Sequence, residues 1–396
     1  MTGRRSDSRM KLVVFGLTIS SSWGNGHATL WRSLCRGLAS LGHEVTFFER
    51  DVPYYARARD MDRPDGCDLR LYSEWEDVIG EAQLALDAAD VGMVTSYCPD
   101  GPSACDLLLD SRAATKVFYD LDTPVTLSRV RDGEAVPYLP PNGLRDFDLV
   151  LSFTGGQALD ELQSRLGARA VAPLYGSVDP DVHRPAAPDP RFACDLSYLG
   201  TYSADRQAML DRLFLQAADR RPGSRFMLAG SQYPESFAWK PNIHYVWHLT
   251  PAEHPSFYCS SGLTLNVTRG PMAAMGYCPS GRLFEAAACG AAIVSDIWQG
   301  LDQFFEPGEE ILAASDTGDT LNALALDAAE RHAIGQRARE RTLDCHTASA
   351  RARDLERVLS PGGFFERSHH VGHRSGSGSG ESNPTAGVLK RAAAGR

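Results

Sequence analysis

Arg282 and Glu285 stand three residues apart in the run Pro279-Ser280-Gly281-Arg282-Leu283-Phe284-Glu285, which continues through Ala286-Ala287-Ala288-Cys289-Gly290 into an apolar stretch. That spacing places both side chains on one face of a short helix. Ser280 suits its N-cap and Gly290 its C-terminal stop. The free N–H groups at such a helix start, beside Ser280 and Gly281, can bind a pyrophosphate. Arg282 adds charge-assisted hydrogen bonds to phosphate oxygens, and Glu285, one turn deeper, can accept two hydroxyls from a ribose diol. The bland alternative is an exposed ion pair on a surface helix.

A second group lies near the other end of the chain. Gly24 and Gly26 flank Asn25 just before His27. Glycines there let a ligand approach the backbone closely. His27 at a helix start is held neutral by the dipole, as a general base requires, or it simply caps the helix. A rival reading joins Gly24-x-Gly26-x-x-Thr29 to Glu49 as a dinucleotide fingerprint. Thr29 in place of the third glycine, and six residues between strand and motif, count against it. Asp120 and Asp122 close another strand at Tyr119-Asp120-Leu121-Asp122-Thr123-Pro124. They suit the removal or orientation of a hydroxyl proton, a turn before Pro124, or, in a different fold, Mg²⁺.

The elements that must carry these residues alternate. Apolar runs at 11–17, 45–49, 91–97, 116–120, 148–153 and 169–173 read as strands. Leu30, Leu34, Leu38 and Leu41 form a helical stripe that Gly42 ends. Strands resume at 195–199, 225–230, 243–246, 262–267 and 291–295, with helices starting near 203, 251, 280 and 327 and a final one at 346–359. This is an α/β pattern of two doubly wound, Rossmann-like domains. The expected division is a disordered leader at 1–9, an N-terminal domain at 10–176 and a turn-rich linker at 177–190. A C-terminal domain follows at 191–345, then a helix returning to the first domain at 346–366 and a Ser/Gly-rich disordered tail at 367–396. Ligands of such sheets bind beyond the strands' carboxyl ends, so the chemistry belongs on strand-to-helix loops.

The segment 279–296 resembles the E-A-x-A-C-G signature of group 1 glycosyltransferases of the GT-B fold, and its R-x-x-E form resembles the spore-maturation (CgeB-like) branch. Asn242 to Tyr258 resembles the family's strand, loop and helix before the donor site, with Trp247 where a glycine is usual. Leu196 to Arg206 resembles its strand and glycine loop, and Leu174 to Pro185 its interdomain linker. The matches run in order over 174–312. The resemblance implies two facing Rossmann-like domains and transfer of a sugar from a nucleoside diphosphate sugar to an acceptor hydroxyl, with no metal and no cofactor. It places Arg206 and Arg282 on the donor diphosphate, Glu285 on the ribose and the base near His248. The acceptor would meet His27, Asp120 and Asp122. Retaining members carry a glutamate eight residues before the position of Glu285, where this chain has Tyr277. The subsite for the donor sugar is therefore altered. An epimerase or phosphorylase of the same architecture, or a non-catalytic nucleotide-sugar-binding protein, are the alternatives.

Composition narrows the partners. Net charge is −10 over 396 residues, yet the ends are basic (+2 over 1–9, +4 over 367–396), so the body carries −16. Such a surface is poorly suited to a nucleic acid backbone. No run approaches the about 18 apolar residues of a membrane-spanning helix. Nine cysteines without a C-x-x-C pair fit scattered thiols in a reducing cytoplasm.

Overall fold

The computed structural model describes residues 9–360; all but the last residue of the expected leader at 1–9, the end of the returning segment at 346–366, and the tail at 367–396 lie outside the described residues. Among the described residues, thirteen strands form two all-parallel sheets. In the first, β1 (Lys11–Gly16), β2 (Glu44–Arg50), β3 (Asp68–Tyr72), β4 (Val91–Thr95), β5 (Thr115–Asp120), β6 (Leu149–Ser152) and β7 (Val171–Pro173) lie in the order β3-β2-β1-β4-β5-β6-β7. The second contains β8 (Cys194–Leu199), β9 (Phe226–Gly230), β10 (Ile243–Trp247), β11 (Ser261–Asn266), β12 (Ile293–Asp296) and β13 (Leu312–Ala314), in the order β10-β9-β8-β11-β12-β13.

Central strands such as β4 and β9 are buried along their whole length because helices cover both faces. That is why they read as unbroken apolar runs. Every strand expected from the sequence is present, with ends shifted by one or two residues. Two were not foreseen. β3 is an edge strand of sequence DLRLY, mostly exposed, with a charge in its middle; β13 has only three residues. Neither carries a burial pattern long enough to register.

Each sheet reverses its order once, between β1 and β4 and between β8 and β11. These switch points open a crevice at the strands' carboxyl ends. The helix Ala348–Leu359, started by Thr347 whose hydroxyl accepts the Ala350 N–H at 3.2 Å, returns to the first domain. Its Ala352, Leu355 and Leu359 share a core with Trp31, Leu34 and Leu38 of the helix His27–Ser40. Gly37 permits this contact, since a Cβ there would lie 2.5 Å from the Ala348 carbonyl oxygen.

Candidate functional site

Both switch points carry the candidate residues. On the second sheet, Gly200 follows directly on β8 and β11 ends at Asn266. The Asn266 amide donates to Thr268 Oγ1, Ser295 Oγ and Asp296 Oδ1 at 3.1–3.4 Å, which turns its oxygen outward. That oxygen accepts Arg282 Nη1 at 3.3 Å. The guanidinium also lies 5.5 Å from the Tyr198 ring centre. Gly200 makes room for it, because a Cβ would stand 3.0 Å from Arg282 Nη2.

Arg206 is held by a 3.2 Å hydrogen bond from Nη1 to the Thr201 carbonyl, and its Nε is buried without a partner. Burial pushes its pKa down, with Arg282 and Arg269 adding repulsion and Tyr198 opposing. Among the described residues, neither Arg206 nor Arg282 is paired with a carboxylate. Two half-buried cations without counter-ions are costly, and they mark a place for an anion.

The helix Gly281–Ala288 begins beside them. Ser280 occupies its N-cap with φ −66° and ψ 137°, but its hydroxyl makes no capping bond, contrary to the sequence expectation. A Cβ on Gly281 would meet nothing within 4 Å, so the helix start faces open space. Glu285 lies deeper on the same helix, 3.8 Å from His254 Nδ1. His183 joins them, the ligand-capable atoms of the three lying within 4.8 Å of one another. The sequence reading expected no metal ligands and passed over this group.

On the first sheet, β5 ends at Asp120, which is fully buried. One oxygen accepts the Asp122 N–H at 3.1 Å and the other has no partner. Burial pushes its pKa up to about 6, with the nearby Thr126 hydroxyl and the Asp122 N–H pulling the other way. His27 opens its helix as expected, but Asn25 does the capping, accepting the N–H groups of His27 and Ala28 at 3.0 and 3.2 Å. The ring is therefore free of that duty, and its Nε2 lies 3.4 Å from Asp122 Oδ2. Burial alone would raise Asp122; the hydrogen bond and charge of His27, together with Arg269, outweigh it and hold the carboxyl below its usual range.

The dinucleotide reading fails on Glu49. This carboxylate is buried and already accepts from Thr18 Oγ1, Ile19 N, Ser20 N and Ser20 Oγ at 2.6–3.0 Å. It fastens the loop after β1 and has nothing left for a ribose.

Three expected residues stand where the domains meet. Tyr277 (φ +48°) gives its N–H to Gln299 and takes one from Gly155 of the other domain. Its ring lies between Gly156 and Gly300, where a Cβ on either would come within 2.3 Å of it. Its packing is thus that of a clasp between domains. His248 (φ +51°) turns its ring to Trp23 on the loop after β1, centres 4.8 Å apart, and Trp23 also meets Trp247 at 5.9 Å. Gly24 (φ +67°) lies at this contact and Gly26 is the N-cap of the first helix.

Other site residues went unread. Arg269 follows β11 and bonds Asp205 at 3.1 Å, close enough to both Arg206 and Asp122 to act on their charges. The polar run Asn266-Val267-Thr268-Arg269 directly after an apolar strand was the available signal. Tyr97 holds a positive φ of 61° at the end of β4, its ring 5.9 Å from His27 and 4.8 Å from Tyr138. Strain of this kind gathers at functional sites.

Residues 206–357 match a family model described as glycosyl transferase-like. The chain has the GT-B fold, and its second half carries a glycosyl transferase-like segment. Sucrose-phosphate synthase of Thermosynechococcus elongatus superposes with a TM-score of 0.62 at 14% identity, covering 88% of this chain and 98% of the other. The HepE protein of Anabaena, solved with UDP and glucose, gives 0.61 at 11%, covering 89% and 99%. An alpha-glucosyltransferase, solved with UDP and a 13-mer DNA, gives 0.63 at 13%, covering 89% and 100%. No curated protein has a sequence that matches this chain. In this chain the matched segment spans Arg206, Arg269, Arg282 and Glu285, while His27, Asp120 and Asp122 precede it. No helix among the described residues is long and apolar enough to cross a membrane.

Proposed function

We propose that this enzyme takes a sugar from a nucleoside diphosphate sugar, with UDP as the nucleotide, and places it on an acceptor hydroxyl without help from a metal ion. The observation that carries the donor reading is the pair Arg206 and Arg282, half-buried beside an open helix start with no carboxylate partner. A diphosphate meets all three features: two guanidinium groups and free N–H donors. Glu285, deeper on the same helix, accepts from the ribose. Neighbours solved with UDP support the choice of base.

The acceptor oxygen forms its bond to the anomeric carbon while that carbon's bond to the diphosphate oxygen breaks. The arginines take up the charge developing on the leaving group, which is where electrostatic stabilisation acts most strongly. The acceptor's proton passes to the Asp122–His27 pair. Asp120, with a pKa near 6, holds the strand end beneath them.

The R-x-x-E form supports placement in the CgeB-like branch, and nine free cysteines support a reducing cytoplasm. A body charge of −16 supports an acceptor other than nucleic acid. Incubation with UDP-sugars in excess EDTA is the test. UDP release, slow without acceptor, is expected to persist. Complete loss restored by Mg²⁺ or Mn²⁺ would overturn metal independence, and failure to use any nucleotide sugar would overturn the donor reading.

A further inference from the structure

Glu285 does not act into empty space. His183, on the segment joining the domains, and His254, first residue of the helix His254–Cys259, converge on it, their rings 5.8 Å apart. His254 Nδ1 and His183 Nε2 are both buried and have no hydrogen-bond partner. Buried polar atoms left unpaired are uncommon in folded proteins and require a reason.

Proton accounting sharpens the point. A neutral imidazole has one nitrogen that donates and one that accepts. Burial holds the His254 pKa near 4 against the raising influence of Glu285 and the Leu249 backbone, so the ring is neutral in ordinary conditions. We assign the ring's proton to Nε2, towards Leu249, which leaves the lone pair on the unpartnered Nδ1. That lone pair and a Glu285 carboxylate oxygen then face each other across 3.8 Å with no hydrogen between them. Two acceptors so placed call for a ligand that brings donors. The two side chains keep 15% and 17% of their surface exposed, while Nδ1 itself is buried and unpartnered. Arg282, on the same helix as Glu285, is near enough to act on the charge of His254. One ligand with a diphosphate at the arginine and a diol one turn deeper spans both.

We propose that His254 Nδ1 is a second acceptor for the ribose diol, taking one hydroxyl while Glu285 takes the other. This rests on the donor-site reading of Glu285, and it makes the pocket specific for ribonucleotides through two residues instead of one. The same atoms could instead hold a zinc ion, so the test separates the two.

UDP, ADP and GDP are titrated calorimetrically into the full-length protein, and the tightest binder is compared with its 2′,3′-dideoxy counterpart. His254→Ala is expected to weaken the ribonucleotide by roughly tenfold, as for one lost neutral hydrogen bond. The dideoxy nucleotide should bind the variant and the natural protein alike. His254→Asn, whose carboxamide oxygen can stand where Nδ1 stands, is expected to recover most of the affinity and controls for folding. If both His254 variants bind the ribonucleotide normally while Glu285→Gln is weakened, the inference falls and the donor site stands. If Glu285→Gln also binds normally, or no diphosphate binds, the donor-site reading falls with it. About one equivalent of zinc in the purified protein by mass spectrometry, lost in His254→Ala, would make the cluster a metal site and overturn the inference.

Discussion

Arg282→Met is expected to lower kcat/KM by about a hundred- to a thousand-fold, the loss seen when one preorganised group facing a developing charge is removed. The guanidinium is fixed before any ligand arrives, by Asn266 on one side and the Tyr198 ring on the other. No reorganisation is needed when the diphosphate leaves. Arg282→Lys keeps a charge but not the planar fork, so it should recover only part of the loss. Steady-state kinetics with saturating acceptor make the measurement. Unchanged melting temperature shows that the fold is intact. A variant with full activity would mean that Arg282 serves only Asn266 and the packing of the strand end.

Asp122→Asn is the second large effect. Removing a positioned general base costs about a hundred- to ten-thousand-fold. The loss should fall on kcat, because the carboxylate faces His27 in the first domain, whereas Arg206 and Arg282 lie in the second. UDP affinity should stay at the natural value. His27→Ala should cost a similar factor, and the double variant little more than either alone, since residues acting as a pair are not additive. Additive losses would show two separate roles. A change in donor KM with kcat preserved would move Asp122 out of the proton path.

How much of this was legible follows from how far each signal reaches along the chain. The helix bearing Arg282 and Glu285 could be read because its spacing, its stop at Gly290 and the strand behind it are all local. The two sheets could be read because buried parallel strands are apolar throughout. The edge strand at Asp68–Tyr72 was not legible: exposure removes the pattern that betrays a strand. Nor was the meeting of His183, His254 and Glu285, which are brought together from a connecting segment and two helices. Glu49 was ambiguous for a similar reason. An acid at the end of the second strand looks the same in sequence whether it awaits a ribose or, as here, fastens the loop at Thr18–Ser20. Tyr97 gave no signal, since a tyrosine, unlike glycine or asparagine, does not advertise a positive φ by its type.

The central claim is that the helix Gly281–Ala288 reads a nucleoside diphosphate, and Glu285→Gln tests it most directly. The substitution keeps shape and removes the charge, so a charge-assisted hydrogen bond of about 1.5–3 kcal/mol is lost, less what the amide retains. Calorimetric titration should show UDP, with no sugar attached, binding roughly ten- to a hundred-fold more weakly to the variant. The difference should nearly vanish for 2′,3′-dideoxy-UDP, which has no hydroxyl for residue 285 to hold. Equal affinity of variant and natural protein for UDP would contradict the account, leaving Glu285 as nothing more than a partner of His254.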